Sequence, residues 1–205
     1  MRNPKPIYTL DFISPYKYKK RKMFKKFLLV SIVLSIFVLI FSPLTIASHK
    51  QTSYEYMIGT GFLEEFGDVV SEASNGDTVE LKGGGTFTIG PKTITGDGTV
   101  IHRDKDGNII GTGKWVATKL IGFKSYGSGT PQGLPENFEG GRALIKIIID
   151  LDSVGESFEG TLTITCTIGD KIPKKAEEGI RLAIRDIPIN FNKEIGGGTL
   201  FIKNI

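Results

Sequence analysis

Catalysis needs a base, a nucleophile or a set of ligands, and this chain offers few of each. It contains 2 histidines, His49 and His102, and a single cysteine, Cys166. His49 falls in a polar stretch ahead of the folded region, so His102 is the one imidazole placed to act as a base or ligand. One histidine cannot build an H-E-x-x-H zinc site, and one cysteine can form neither an intramolecular disulfide nor a cysteine-based zinc cluster. Cys166 lies on the apolar side of an alternating run, where a thiol behaves as a small hydrophobe. Ser125 is preceded two residues earlier by Phe123 instead of glycine, so no nucleophile elbow is present.

Several glycine and acidic motifs fail on spacing. Asp104-Lys105-Asp106-Gly107-Asn108 resembles the start of a calcium loop. Placing Gly107 at the invariant glycine position puts His102 first and Gly113 where a bidentate glutamate belongs, so the segment reads as a hairpin turn. Gly83-Gly84-Gly85, Gly96-Asp97-Gly98, Gly111-Thr112-Gly113 and Gly196-Gly197-Gly198 lack the third glycine and following helix of a dinucleotide site. Gly113-Lys114 is followed by Trp115 where a P-loop needs Ser or Thr. No catalytic residue, metal ligand or cofactor is assigned. The residues that can line a ligand site are His102, Trp115, Tyr126, Phe138 and Arg142, although Trp115 in a long strand equally suits a core. The last three lie in or beside the break Lys124 to Arg142, which also carries Glu136 and Glu139. Those carboxylates could serve as an acid/base pair only with a substrate held between them.

The elements that must position these residues are strands. From Asp77 onward the apolar period is two and glycine-rich breaks separate runs rich in Thr, Val, Ile and Phe. Strands are expected at Asp77 to Lys82, Thr86 to Ile89, Gly98 to Asp104, Ile109 to Ile121, Ala143 to Leu151, Thr161 to Ile168, Ile180 to Ile187 and Thr199 to Lys203, about eight in all. Leu162, Ile164, Cys166 and Ile168 should face a core, with threonines opposite. Links this short exclude a parallel α/β sheet. The fold class is therefore all-β and antiparallel, a barrel or a sandwich, and about eight strands suit a small closed barrel. Between Tyr54 and Ala73, Phe62, Leu63, Phe66, Val69 and Val70 share a helical stripe, which predicts one short amphipathic helix.

Composition agrees with one exported domain. The chain has 205 residues, 40% hydrophobic and 23% charged, with a net charge of +4. Residues 1–26 hold nine of the 26 basic residues and only Asp11 of the 22 acidic ones, +8, which leaves 17 basic and 21 acidic residues, −4. A folded region of that sign has no overall attraction for nucleic acid. Phe27 to Ala47 is uncharged and apolar, long enough for a signal peptide or a transmembrane anchor, and the preceding basic cluster keeps the amino terminus in the cytoplasm. Thr45-Ile46-Ala47 after Pro43 can support cleavage. A start at Met23 would give an ordinary short n-region, whereas a start at Met1 favours a retained anchor. The organisation expected is 1–26 basic n-region, 27–47 membrane segment, 48–53 linker and 54–205 β-domain outside the cell, secreted or anchored in the plasma membrane.

The ordered set Gly76-Asp77-Thr78, Gly85-Thr86-Phe87, Asp104 to Asn108, Gly113-Lys114-Trp115, Phe123 to Gly127, Phe138 to Leu144, Thr165-Cys166 and Phe191 to Glu194 resembles an uncharacterised family of small, often exported β-domains. Lys82 followed by Gly83 to Gly85 departs from the more mixed turn expected there. The resemblance implies a compact β-domain and carries over no catalytic residue. With no catalytic constellation, the leading reading is a binding module for a small apolar ligand or a surface partner. The alternatives are a barrel-type enzyme acting on a small hydrophobic molecule, with His102 or a loop carboxylate as base, and a structural protein of the cell envelope.

Overall fold

The computed structural model describes residues 51–152 and 155–204. The basic n-region and the apolar segment 27–47 lie outside the described residues. Among those described, no helix is long and apolar enough to cross a membrane.

The chain from 49 to 205 is a compact unit made of strands. In chain order they are β1 (Ser53–Ile58), β2 (Val69–Ala73), β3 (Thr78–Thr88), β4 (Thr93–Arg103), β5 (Ile109–Ser128), β6 (Phe138–Leu151), β7 (Glu156–Cys166), β8 (Gly179–Ile184), β9 (Asn190–Gly196) and β10 (Thr199–Lys203). All neighbours are antiparallel and belong to one 10-stranded sheet. Strands β2 to β9 follow one another as neighbours, and β9 pairs back onto β2 from Ala73↔Phe191 to Val70↔Gly196, which closes a ring. The terminal strands complete the wall. Strand β1 pairs with β3 beyond the point where β2 stops, and β10 joins β1 to β6 through Phe201↔Glu139. Among the described residues, every strand pairs with strands lying between Ser53 and Lys203, so this segment carries its own hydrogen-bonded framework.

Alternation sets the two faces of the wall. Ile145, Ile147 and Ile149 are buried, as are Leu162, Ile164 and Cys166 on the neighbouring strand, as the period-two pattern requires. One end of the interior is filled by Tyr54, Phe87, Phe123 and Phe201, whose rings meet at centroid distances from 4.7 Å for Tyr54–Phe123 to 6.0 Å for Phe87–Phe201. Trp115, fully buried, occupies the middle. Its indole lies over the register pair Gly83↔Gly98, while Tyr56, the β1 register partner of Gly85, lays its ring over Gly96 and donates from its hydroxyl to the Thr95 carbonyl at 3.2 Å. The glycine runs that fail as phosphate loops therefore make flat ground for two aromatic rings.

The amphipathic helix expected between Tyr54 and Ala73 does not form. Tyr54 belongs to β1, Gly61–Phe66 is a single 3-10 segment ended by Gly67 at φ 85°, and Val69 and Val70 begin β2. The β-branched valines gain register partners in Leu81 and Glu80, which an isolated helical turn cannot match. The break placed between Lys124 and Arg142 is also shorter than expected. Strand β5 runs to Ser128 and β6 starts at Phe138, leaving residues 129–137 as the connection. The Asp104 hairpin is a tight turn, with Asp104 Oδ1 accepting from the Asp106 and Asn108 amides at 2.9 and 2.8 Å.

Candidate functional site

The end of the ring opposite the phenylalanine cluster is less completely filled. A cavity of about 80 Å³ is bounded there by Val79, Val100, Ile149, Leu151, Phe158 and Phe191, together with Leu182 and Ile184 of β8 and Ile187 and Ile189 of the β8–β9 connection. His102 is the one polar side chain in that lining. Register explains its position: Val79, an inward residue, is its cross-strand partner, so the imidazole points inward as well. The ring stands edge-on to Phe191, with centroids 5.4 Å apart and planes at 88°. Asp77, two residues before Val79 and therefore on the same face, brings Oδ2 to 3.4 Å from His102 Nε2. That contact lies off the direction of a hydrogen bond, and the buried Nε2 has no hydrogen-bond partner. A carboxylate and an imidazole thus stand side by side, without a hydrogen bond between them, at the edge of an apolar space.

The other residues singled out in the sequence lie elsewhere. Trp115 is core, with Nε1 donating to the Lys82 carbonyl at 3.1 Å. Tyr126 is buried near the end of β5, outside the main apolar cluster, where its carbonyl accepts from the Lys171 amide at 2.9 Å. Phe138 stacks on Phe62, with centroids 5.9 Å apart. Arg142 is exposed on β6, beside Lys124 in register. The five do not converge on one space.

Glu136 and Glu139 do share a surface cleft, of about 520 Å³, with Gln51, Thr52, Asn137 and Asn204. Their roles differ. Glu139 is buried and accepts from Tyr54 Oη at 3.0 Å and Ser125 Oγ at 2.8 Å, with Lys203 Nζ 3.0 Å from its other oxygen. Burial opposes its ionisation, but the Ser125, Lys203 and Tyr54 bonds together hold the carboxyl below the usual carboxylate range. The same contact and burial push the Tyr54 phenol well above its ordinary value. A carboxylate so stabilised is a weak base, and its geometry is that of a tie between β1, β5, β6 and β10.

A second carboxylate performs a similar task without having drawn notice in the sequence. Glu178 accepts from the Thr167 amide at 2.6 Å and the Thr199 amide at 2.8 Å, and from both threonine hydroxyls. It spans the seam where β7 has ended and β10 begins, standing in for a missing backbone partner. Nearby Cys166 has its thiol pushed up to about 12 by burial and by Glu178, so it is a poor nucleophile.

No family model, no curated protein and no solved structure matches the chain. The geometry alone then separates the candidates: the cavity at His102 combines an apolar lining with one titratable group, while the Glu139 and Glu178 sites are occupied by the protein's own donors. Asp77, Ile187 and Ile189 were not legible as site residues, and only the Val79↔His102 register would have revealed Asp77.

Proposed function

We propose that the domain is a binding module that takes a small apolar molecule, or the apolar tip of a larger one, at the His102 end of the ring. The observation that carries this reading is the cavity lined by ten apolar side chains and a single imidazole. Its size limits the occupant. At about 80 Å³ it is smaller than the ~150 Å³ apolar cavity that takes up benzene, so a larger guest needs the β8–β9 connection to move. Trp115 plugs the middle of the ring, which supports entry at this end instead of a deep central pocket. The apolar run 27–47 and the basic residues before it favour a domain held outside the cell, secreted or anchored to the plasma membrane.

The experiment is a melting-temperature titration of residues 49–205 with benzene, indole and octanol, read alongside methyl chemical shifts of Ile149, Leu151 and Leu182. A binder raises the melting temperature by mass action and moves those methyls first. Ile189→Trp, which fills the space, should abolish both responses. If none of the probes changes either readout, the proposal is wrong. A second reading, an enzyme using His102 as base with the Asp77 carboxylate beside it, is favoured by their 3.4 Å approach. It predicts a pH-dependent reaction lost in both His102→Gln and Asp77→Asn.

A further inference from the structure

The outer face of β5 and β6 carries an arrangement that folding alone disfavours. Lys119 stands opposite Lys146 and Lys124 opposite Arg142, two like-charge pairs at directly facing positions. Facing like charges destabilise a sheet. Lys119, Lys124 and Arg142 are exposed and Lys146 half-buried, and among the described residues none of the four is ion-paired. Elsewhere on the same strands the pattern is different: Lys114 faces Asp150. The cations gather on a region whose sum from residue 27 onward is −4, so their grouping is local and not a consequence of a basic domain.

We infer that this stripe is a docking surface for a linear inorganic polyanion, a flexible chain of phosphate groups such as polyphosphate, independent of the apolar cavity. Its shape favours a chain over a bilayer. The two pairs are four residues apart along β6, about 13 Å at the rise of a strand, and only two strands, about 5 Å, wide. The row is flanked on β7 by Thr161 and Thr163, facing Lys146 and Leu144, whose hydroxyls suit anionic oxygens. Apolar side chains do lie beside the cations, Leu144 and Ile121 between the pairs and Val116 facing Ile148 beyond Lys119 and Lys146, but none of them is one of the aromatic residues that seat a protein in a membrane interface.

Residues 49–205 should bind inorganic polyphosphate, with a log–log salt slope of about −3, as expected for four cations each replacing counterions on a single strand. This segment omits the basic n-region, which would bind polyanions by itself. Lys119→Gln with Lys146→Gln, and Lys124→Gln with Arg142→Gln, should each remove about half of that slope. Both double variants should melt at the same temperature as the parent or higher, because a repulsive contact is removed. Lys193→Gln, at a cation paired with Glu72, should leave binding unchanged. Absence of binding at low salt, an equal loss in Lys193→Gln, or stronger binding to vesicles of anionic phospholipid than to polyphosphate at equal charge would overturn the assignment.

Discussion

The indole Nε1–H of Trp115 donates to the Lys82 carbonyl across 3.1 Å because residue 98, its register neighbour, has no side chain. A Cβ on Gly98 would lie 2.6 Å from Nε1 and inside the Lys82 oxygen, and one on Gly83 would meet the indole ring at 2.8 Å. Two facing glycines lose the cross-strand contacts that usually hold a sheet, and the ring laid over them supplies that contact from another strand.

Gly98→Ala should therefore lower stability by about 1–3 kcal/mol, since backbone and indole must both give way. Trp115→Phe, which loses the hydrogen bond and leaves space behind, should cost about 2 kcal/mol or more. The double variant should cost less than the sum, because each change removes what the other clashes with or bonds to. Gly122→Ala, with nothing within 4 Å of the added carbon, is the control and should stay close to wild type. Urea denaturation of the four proteins checks this, and an additive double variant would refute the coupling.

Removing the Glu178 carboxylate strands the amides of Thr167 and Thr199 at a seam where no backbone partner replaces it. Glu178→Ala should cost about 3 kcal/mol, given two charge-assisted amide bonds lost with their donors left in a half-buried setting. Hydrogen exchange localises the effect: the Thr167 and Thr199 amides should exchange faster in the variant, while amides in the β3–β4 pairing change only with global stability.

Acid should loosen the join between the terminal strands and the ring. Glu139 is held below its ordinary range in the folded state, so its contribution to stability is complete above the unfolded value of about 4.3 and disappears as the pH falls through the lower folded value. Melting temperatures followed from about pH 6 to pH 2 should decline over that window, and the decline should be shallower in Glu139→Gln. Equal slopes for both proteins would mean that other carboxylates govern the acid limb.

Much of the architecture can be read directly from side-chain types. Thr161 to Cys166 announce a strand with one buried face because a side-chain period of two is a local property, and Asp104 to Asn108 announce a turn because Asp104 bonds its own neighbours. The all-β class follows from such runs. The stretch Phe62 to Val70 misleads for the complementary reason: its helical spacing is equally local, but the valines pair with β3 across the tight turn after Ala73, and the strand they begin is held on its other side by β9, distant in sequence. Strand β9 is not legible in the sequence because Asn192, Lys193 and Glu194 present no alternation, and its place depends on β2 and β8.

By itself, then, the order of residues determined the strand-rich class, the hairpin at Gly107, the buried face around Ile164 and the absence of familiar catalytic spacings. The pairing of strands decided the rest. Cross-strand register joins residues that no short window relates, and it alone put Asp77 beside His102, Trp115 over Gly98 and Lys119 against Lys146. The physical reason is that side-chain facing is fixed within each strand, whereas which strands meet, and at which residues, is set by burying the whole apolar face at once.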